Sequence, residues 1–190
     1  MLAIRPLAQP TPELGGVAAL AFTSRNGVAA FAELSDARAL PVFTVGDATA
    51  EAARAAGFAD VRSAGGALED LARVLAAEAP GAVLSPGALE PAGDLRALLA
   101  GRVEVRALPV YEAIATGAAA PAAFDAVLVH SPRAGRALAA LGPLAGAVAA
   151  VISQAATAPL DGLPGLEIRI AARPDEAALL EALGKPAPRV

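Results

Sequence analysis

The stretch Val17–Leu34, VAALAFTSRNGVAAFAEL, holds the fold in miniature. Val17 to Thr23 is a short apolar run without polar alternation, as expected of a strand covered on both faces. SRNG supplies small, polar turn chemistry. VAAFAEL then continues with residues that favour a helix. The same unit recurs downstream. Pro41 to Val45 (PVFTV) reads as a second strand, followed by GDATA and a helix through Ala56, with Gly57 as its stop. Ala59 to Arg62 is a short third strand. Leu68 to Glu78 is an amphipathic helix with Leu68, Leu71 and Leu75 on one face. Gly81 to Ser85 is a fourth strand, Asp94 to Ala100 a short helix and Val103 to Ala107 a fifth strand. Short strands alternating with helices predict an α/β domain: a parallel sheet with helices on both faces.

The pattern restarts after the small, Pro- and Gly-containing stretch Ala113–Ala123. Phe124 to His130 is a strand, SPRAG a turn and Arg136 to Leu141 a helix. Val148 to Ile152 is a strand, SQAATA a turn, Leu166 to Ala171 a strand and Pro174 to Leu183 the last helix. FTSRNGV resembles VHSPRAG, and PVFTVGDATA resembles VAAVISQAATA. These pairs suggest a weak internal repeat, and hence two α/β units with a cleft between them.

Composition narrows the function. A length of 190 residues allows one large or two small domains. Hydrophobic residues reach 56%, but alanine inflates this, and aromatics are only 3%, so the core must be built mainly from Leu, Val, Ile and Ala. The apolar runs are too short for a membrane span, which takes about 20 residues. No signal-peptide pattern opens the chain, and with no cysteine there is neither a disulfide nor a thiolate ligand. A cytoplasmic protein is expected. The net charge is -4 and the Lys and Arg residues are scattered, which argues against nucleic acid as a partner. A small anionic ligand fits if arginines or helix N-termini give local help.

In open parallel sheets, ligands bind at the C-terminal ends of strands. Four turns fall there: Ser24–Gly27, Gly46–Thr49, Ser131–Gly135 and Ser153–Thr157. Their backbone N–H groups can bind carboxylate oxygens, and the hydroxyls of Thr49 and Ser131 can add donors. Ser and Thr are also good helix N-caps, and for any one turn capping is the simpler reading. There is no dinucleotide fingerprint and no P-loop. His130 is the sole histidine, so a multi-His metal site is excluded. Asp47 and Asp125 are acid-base candidates on position alone. Tyr111 differs in kind. It is the only tyrosine, placed in ALPVYEAI where the first α/β unit ends. A phenol ionises near pH 10 in water and keeps its proton at neutral pH, so it can donate. Its bland role would be to pack its ring.

Five segments together resemble uroporphyrinogen-III synthase: FTSRNGV (22–28), VGDATAEAARAAGF (45–58), LPVYEA (108–113), VLVHSPRAG (127–135) and ARPDEAALLEAL (172–183). Their order and spacing match the family over most of the chain. The resemblance implies two flavodoxin-like α/β domains joined by a two-stranded linker, with IRPL and LPVYEA as the crossing strands. The first complete domain would be residues 9–106. Residues 1–8 and 107–190 would form the linker ladder and the second domain. It implies a lyase of haem biosynthesis that closes hydroxymethylbilane into uroporphyrinogen III, inverting the last pyrrole ring and losing water, with no cofactor and no metal. A monomer acting on a small molecule is expected.

The resemblance assigns Tyr111 to departure of the hydroxyl. It matches Thr49, Ser131 and Thr157 to the family's turn residues, and the substrate's carboxylates suit the four turns that also hold Ser24, Gly46 and Ser153, with Arg25 and Arg133 in two of them to add charge. Thr157 sits one residue out of step, with Ala156 as the alternative for that slot. SPGALEPAGDL (85–95) lacks an arginine that many relatives carry after the glycine. The family normally opens with a further strand and helix, roughly 35 to 40 residues by ordinary element lengths. They are not seen before IRPL, so Met1 is expected to be an internal start or a truncation point. A non-catalytic, tetrapyrrole- or anion-binding remnant of the family is the alternative.

Overall fold

The structure is a computed structural model describing residues 2–79, 81–119, 121, 124–144 and 146–184. Met1 and part of the 113–123 stretch thus lie outside the described residues. The strands are β1 (Leu2–Pro6), β2 (Val17–Phe22), β3 (Val42–Thr44), β4 (Val61–Ser63), β5 (Ala82–Ala88), β6 (Val105–Ala115), β7 (Ala126–Val129), β8 (Val148–Val151) and β9 (Glu167–Ile170). The α-helices are α1 (Arg25–Leu34), α2 (Asp47–Ala55), α3 (Leu68–Glu78), α4 (Leu95–Leu99), α5 (Pro132–Ala139) and α6 (Glu176–Leu183). The chain divides into two compact units, one of residues 4–113 and the other of residues 1–3 and 114–190.

In the 4–113 unit the described strands form one sheet in the order β1-β6-β5-β2-β3-β4. The pairings from β6 through β4 are all parallel. Alternation along the strands splits the core in two. Ala19, Ala21, Phe43 and Val83 face Leu71 and Leu75 of α3 and Leu95 and Leu99 of α4. Leu20, Phe22, Val42 and Leu84 face Val28 and Phe31 of α1 and Ala53 of α2. Both faces are covered, and this explains why the strands read as continuous apolar runs. Phe22, Phe31 and Phe58 cluster with ring centroids 5.9 to 6.4 Å apart, contacts worth about 0.5–1.5 kcal/mol each. Three of the chain's five phenylalanines thus anchor one layer.

β2 is the first parallel strand of this unit. β3 lies on one side of it and β5 on the other. Successive connections therefore run in opposite directions from β2, which makes the β2/β5 boundary a topological switch point. The strand-end turns on either side of that boundary diverge and leave a crevice.

From sequence, the fifth strand ends at Ala107 and a separate crossing strand begins at Leu108. The structure joins them as one strand, β6, of 11 residues. Pro109 suggests a break because it has no N–H to give a ladder. Two features distant in sequence accommodate it. The β5 register shifts between Gly87 and Ala88, and on the other side the Gln9 side chain donates to the Pro109 carbonyl at 3.0 Å. Beyond it Leu7 N–H donates to Val110 O at 3.0 Å, and Arg5 meets Glu112 at 2.7 Å, so β1 runs antiparallel to β6.

In the other unit β7, β8 and β9 form a parallel sheet in that order among the described residues. Ala149 and Val151 of β8 pack with Leu138 of α5, whereas Ala150 packs with Ala178 and Leu179 of α6. SQAATA, a turn by its composition, winds into two short 3-10 helices with the residues that follow, Gln154–Ala156 and Ala158–Leu160. Pro159 suits the second, since a first-turn N–H needs no partner.

Candidate functional site

Ser24 ends the β2 turn as the N-cap of α1. Its backbone is extended (φ −158°, ψ 154°), and its Oγ accepts from Gly27 N–H at 3.1 Å. The bland reading of this serine is thus correct as far as it goes. Its Oγ also shares a hydrogen bond of 2.9 Å with the Tyr111 hydroxyl, 87 residues away. Tyr111 is held through its backbone. It is paired with Ala88 across β5–β6, and its carbonyl accepts from Leu89 N–H at 2.8 Å. The residue is 8% exposed, so it is buried among packed elements.

The pair opens onto a cavity of about 420 Å³ at the switch point, lined by Thr23, Ser24, Val45, Leu68, Ala88 and Tyr111, among others. Pro91, Ala92 and Gly93 complete its wall, and Glu69 is the charged residue of the lining. Thr23, Leu68, Glu69 and the 91–93 turn are not singled out by the sequence. The position of that turn just after β5 is the available signal for it, because both strands of a switch point contribute their ends. The walls are mostly apolar, with the hydroxyls of Thr23, Ser24 and Tyr111 set among them.

The other candidates of this unit lie nearby in the chain but outside that lining. Gly46 is the N-cap of α2, and its carbonyl accepts from Thr49 and Ala50 N–H at 3.1 and 3.0 Å. A Cβ at Gly46 would come 3.2 Å from the Gly66 Cα, so the turn is closely packed. Thr49 is buried at 6% exposure, Arg25 is exposed at the start of α1, and Asp47 is exposed in the first turn of α2.

The family model described as uroporphyrinogen-III synthase HemD matches residues 1–181. The chain belongs to that family. Solved synthases share its fold. The uroporphyrinogen-III synthetase of Helicobacter pylori matches with a TM-score of 0.75 at 20% identity, covering 96% of this chain and 89% of that one. Two structures of uroporphyrinogen III synthase from the extremely thermophilic bacterium Thermus thermophilus, wild type and a mutant, match with TM-scores of 0.51 and 0.57. Their identities are 18% and 19%, covering 90% and 97% of this chain and 70% and 79% of theirs. A search of curated proteins returns no match.

In the second unit of this synthase-family chain, Ser131 repeats the capping geometry of Ser24. It is the N-cap of α5, extended at φ −167° and ψ 159°, and accepts from Ala134 N–H at 3.1 Å. Arg133 lies in the first turn of α5. Ser153 precedes the first 3-10 helix without a side-chain capping bond. Thr157 is buried at 4% exposure, and its Oγ1 donates to Gln154 O at 2.9 Å, which ties the hydroxyl to its own turn. Ala156, the alternative for the slot, is fully buried. His130 is exposed and bonds Glu176 Oε2 through Nε2 at 2.8 Å, a surface contact at the N-terminus of α6. A cavity of about 380 Å³ in this unit is lined by Leu2, Phe124, Val127, Val129, Leu138 and Leu141, among others. Its lining offers no hydroxyl or charged side chain, so it is no candidate for an anion.

Among the described residues no cluster of His, Cys, Asp and Glu could hold a metal ion, and no helix is long and apolar enough to cross a membrane.

Proposed function

We propose that the chain catalyses the reaction for which its family is named, closing hydroxymethylbilane into uroporphyrinogen III. The observation that carries this reading is the Tyr111–Ser24 hydroxyl pair at the switch-point cavity. The first pyrrole, which carries the hydroxymethyl group, lies against the apolar wall. Its nitrogen lone pair expels the hydroxyl, and Tyr111 donates the proton that turns the departing group into water. The resulting azafulvene is attacked by the substituted carbon of the last ring, giving a spiro intermediate. That intermediate reopens and recloses inverted, and the proton lost from the closing carbon restores the phenol. Hydroxyl leaves, water forms and the protons balance.

Most of the catalysis is positioning. Spontaneous closure gives the uninverted isomer, so the protein must hold the chain in the conformer that leads to the spiro centre. The N-termini of α1 and α2 in one unit and of α5 in the other present backbone N–H groups suited to carboxylates, with Arg25 and Arg133 in two of those first turns. Gly46 and Thr49 shape the turn into α2, Ser131 that into α5, and Ser153 and Thr157 the 3-10 turns after β8. Incubation with enzymatically generated hydroxymethylbilane, followed by separation of type I from type III porphyrins after oxidation, tests the reading. Type III product in excess of the spontaneous background is expected, and type I alone refutes it.

A further inference from the structure

We infer that Ser24 is a positioning residue for Tyr111, holding the phenol in place and donating to the oxygen that loses its proton. This rests on the reading of Tyr111 as the acid. A serine hydroxyl has one proton and two acceptor sites. Gly27 N–H occupies one acceptor site at 3.1 Å, and Tyr111 takes the next contact at 2.9 Å. In the resting pair either oxygen can donate. Once Tyr111 has given up its proton, only Ser24 can, and the bond becomes charge-assisted, roughly twice as strong as a neutral one. Ser24 therefore binds the later state better than the resting one, which is the condition for accelerating a step.

The position reinforces this. Gly27 N–H belongs to the first turn of α1, a helix of 10 residues, so its partial positive charge polarises the Ser24 hydroxyl towards the phenol oxygen. Both oxygens sit on rigid parts. Ser24 is fixed by the α1 cap, and Tyr111 by the β5–β6 ladder. A serine that only caps α1 would affect stability and nothing else.

The experiment compares Ser24→Gly and Ser24→Thr, each alone and combined with Tyr111→Phe. Glycine is tolerated at an N-cap for a few tenths of a kcal/mol, so Ser24→Gly keeps the helix while losing the hydroxyl. The expected result is a fall in kcat of about 10- to 100-fold for type III formation with KM unchanged. Ser24→Thr is expected to recover most of it. Adding Ser24→Gly to Tyr111→Phe is expected to change nothing further. Full multiplication of the two losses, or a raised KM with kcat intact, would overturn the inference.

A second readout does not need turnover. With one tyrosine and no tryptophan, the near-ultraviolet circular dichroism beyond the phenylalanine bands comes from Tyr111. Ser24→Gly is expected to weaken that band and Ser24→Thr to keep it; an unchanged band in Ser24→Gly overturns the inference. If Tyr111→Phe alone leaves the rate unchanged, the acid role fails, and the band separately decides whether Ser24 positions the ring.

Discussion

Gly27→Ala sets two physical effects against each other. Replacing a helical glycine by alanine stabilises by about 0.5–1 kcal/mol through backbone entropy. Here, however, the added Cβ would lie 2.7 Å from the Pro86 carbonyl oxygen of β5, closer than the 3.0 Å that real Cβ atoms respect. The obstacle is backbone in the interior of a sheet and cannot swing aside. The start of α1 must therefore lift by at least 0.3 Å, or by 0.7 Å to reach the ordinary contact of 3.4 Å. Overpacking of this kind costs about 1–3 kcal/mol, and with a rigid neighbour the upper part of that range applies. The clash outweighs the entropy, leaving a net loss of about 1–2 kcal/mol. In a chain of this size that lowers the melting temperature by about 2–8 °C. The lift also carries Ser24, so its 2.9 Å bond to Tyr111 stretches towards the limit of useful geometry, and turnover should fall with stability. Urea denaturation followed by far-ultraviolet circular dichroism measures the first effect and type III formation the second. An alanine variant more stable than the parent would refute the close packing of α1 on β5.

Other outcomes follow from the same structure. Tyr111→Phe should lower kcat by roughly 10²-fold, at the lower end of general-acid effects, with the residual product still type III because positioning survives; an unchanged rate removes Tyr111 from the chemistry. Leu75→Ala, at a fully buried site between α3 and the sheet, should cost about 2–5 kcal/mol by urea denaturation. Arg38 donates to the carbonyls of Ala32, Ser35, Ala37 and Ala56 and lies 4.9 Å over the Phe58 ring. Arg38→Lys should therefore cost about 2 kcal/mol in the same assay, since an ammonium cannot reproduce that fork. Asp175 caps α6 by accepting from Ala178 N–H, and chiefly that bond, then Arg173, holds its carboxyl below the usual aspartate range. A lowered native value means the contribution is complete above the unfolded pKa and is lost as pH falls through the native one. Amide signals of α6 should hold on acidification through the ordinary aspartate range and change only below it, whereas loss of the cap at higher pH would contradict the assignment.

The sheet of the 4–113 unit is legible in the sequence because its strands are covered on both faces and its helices carry their stops nearby. Leu68–Glu78 is a helix with the bounds its leucine spacing indicates. The continuity of β6 is hidden by Pro109, because a register shift and a side chain from Gln9 are needed to accommodate it, and neither is local. The four strand-end turns are also legible as helix starts. Their chemistry is less so. Ser24 looks like any capping serine, and its partner lies 87 residues away. Arg38 gives no signal at all, because a carbonyl-binding arginine has the same sequence appearance as a solvated one. Tyr111 stands out as the sole tyrosine at the end of the first unit, and the structure adds the hydroxyl that meets it.

The most direct measurement is the isomer ratio formed from hydroxymethylbilane by this chain. Uroporphyrinogen III well above the spontaneous background, and slowed by Tyr111→Phe, is the predicted result. Uroporphyrinogen I alone, at the spontaneous rate, would contradict it.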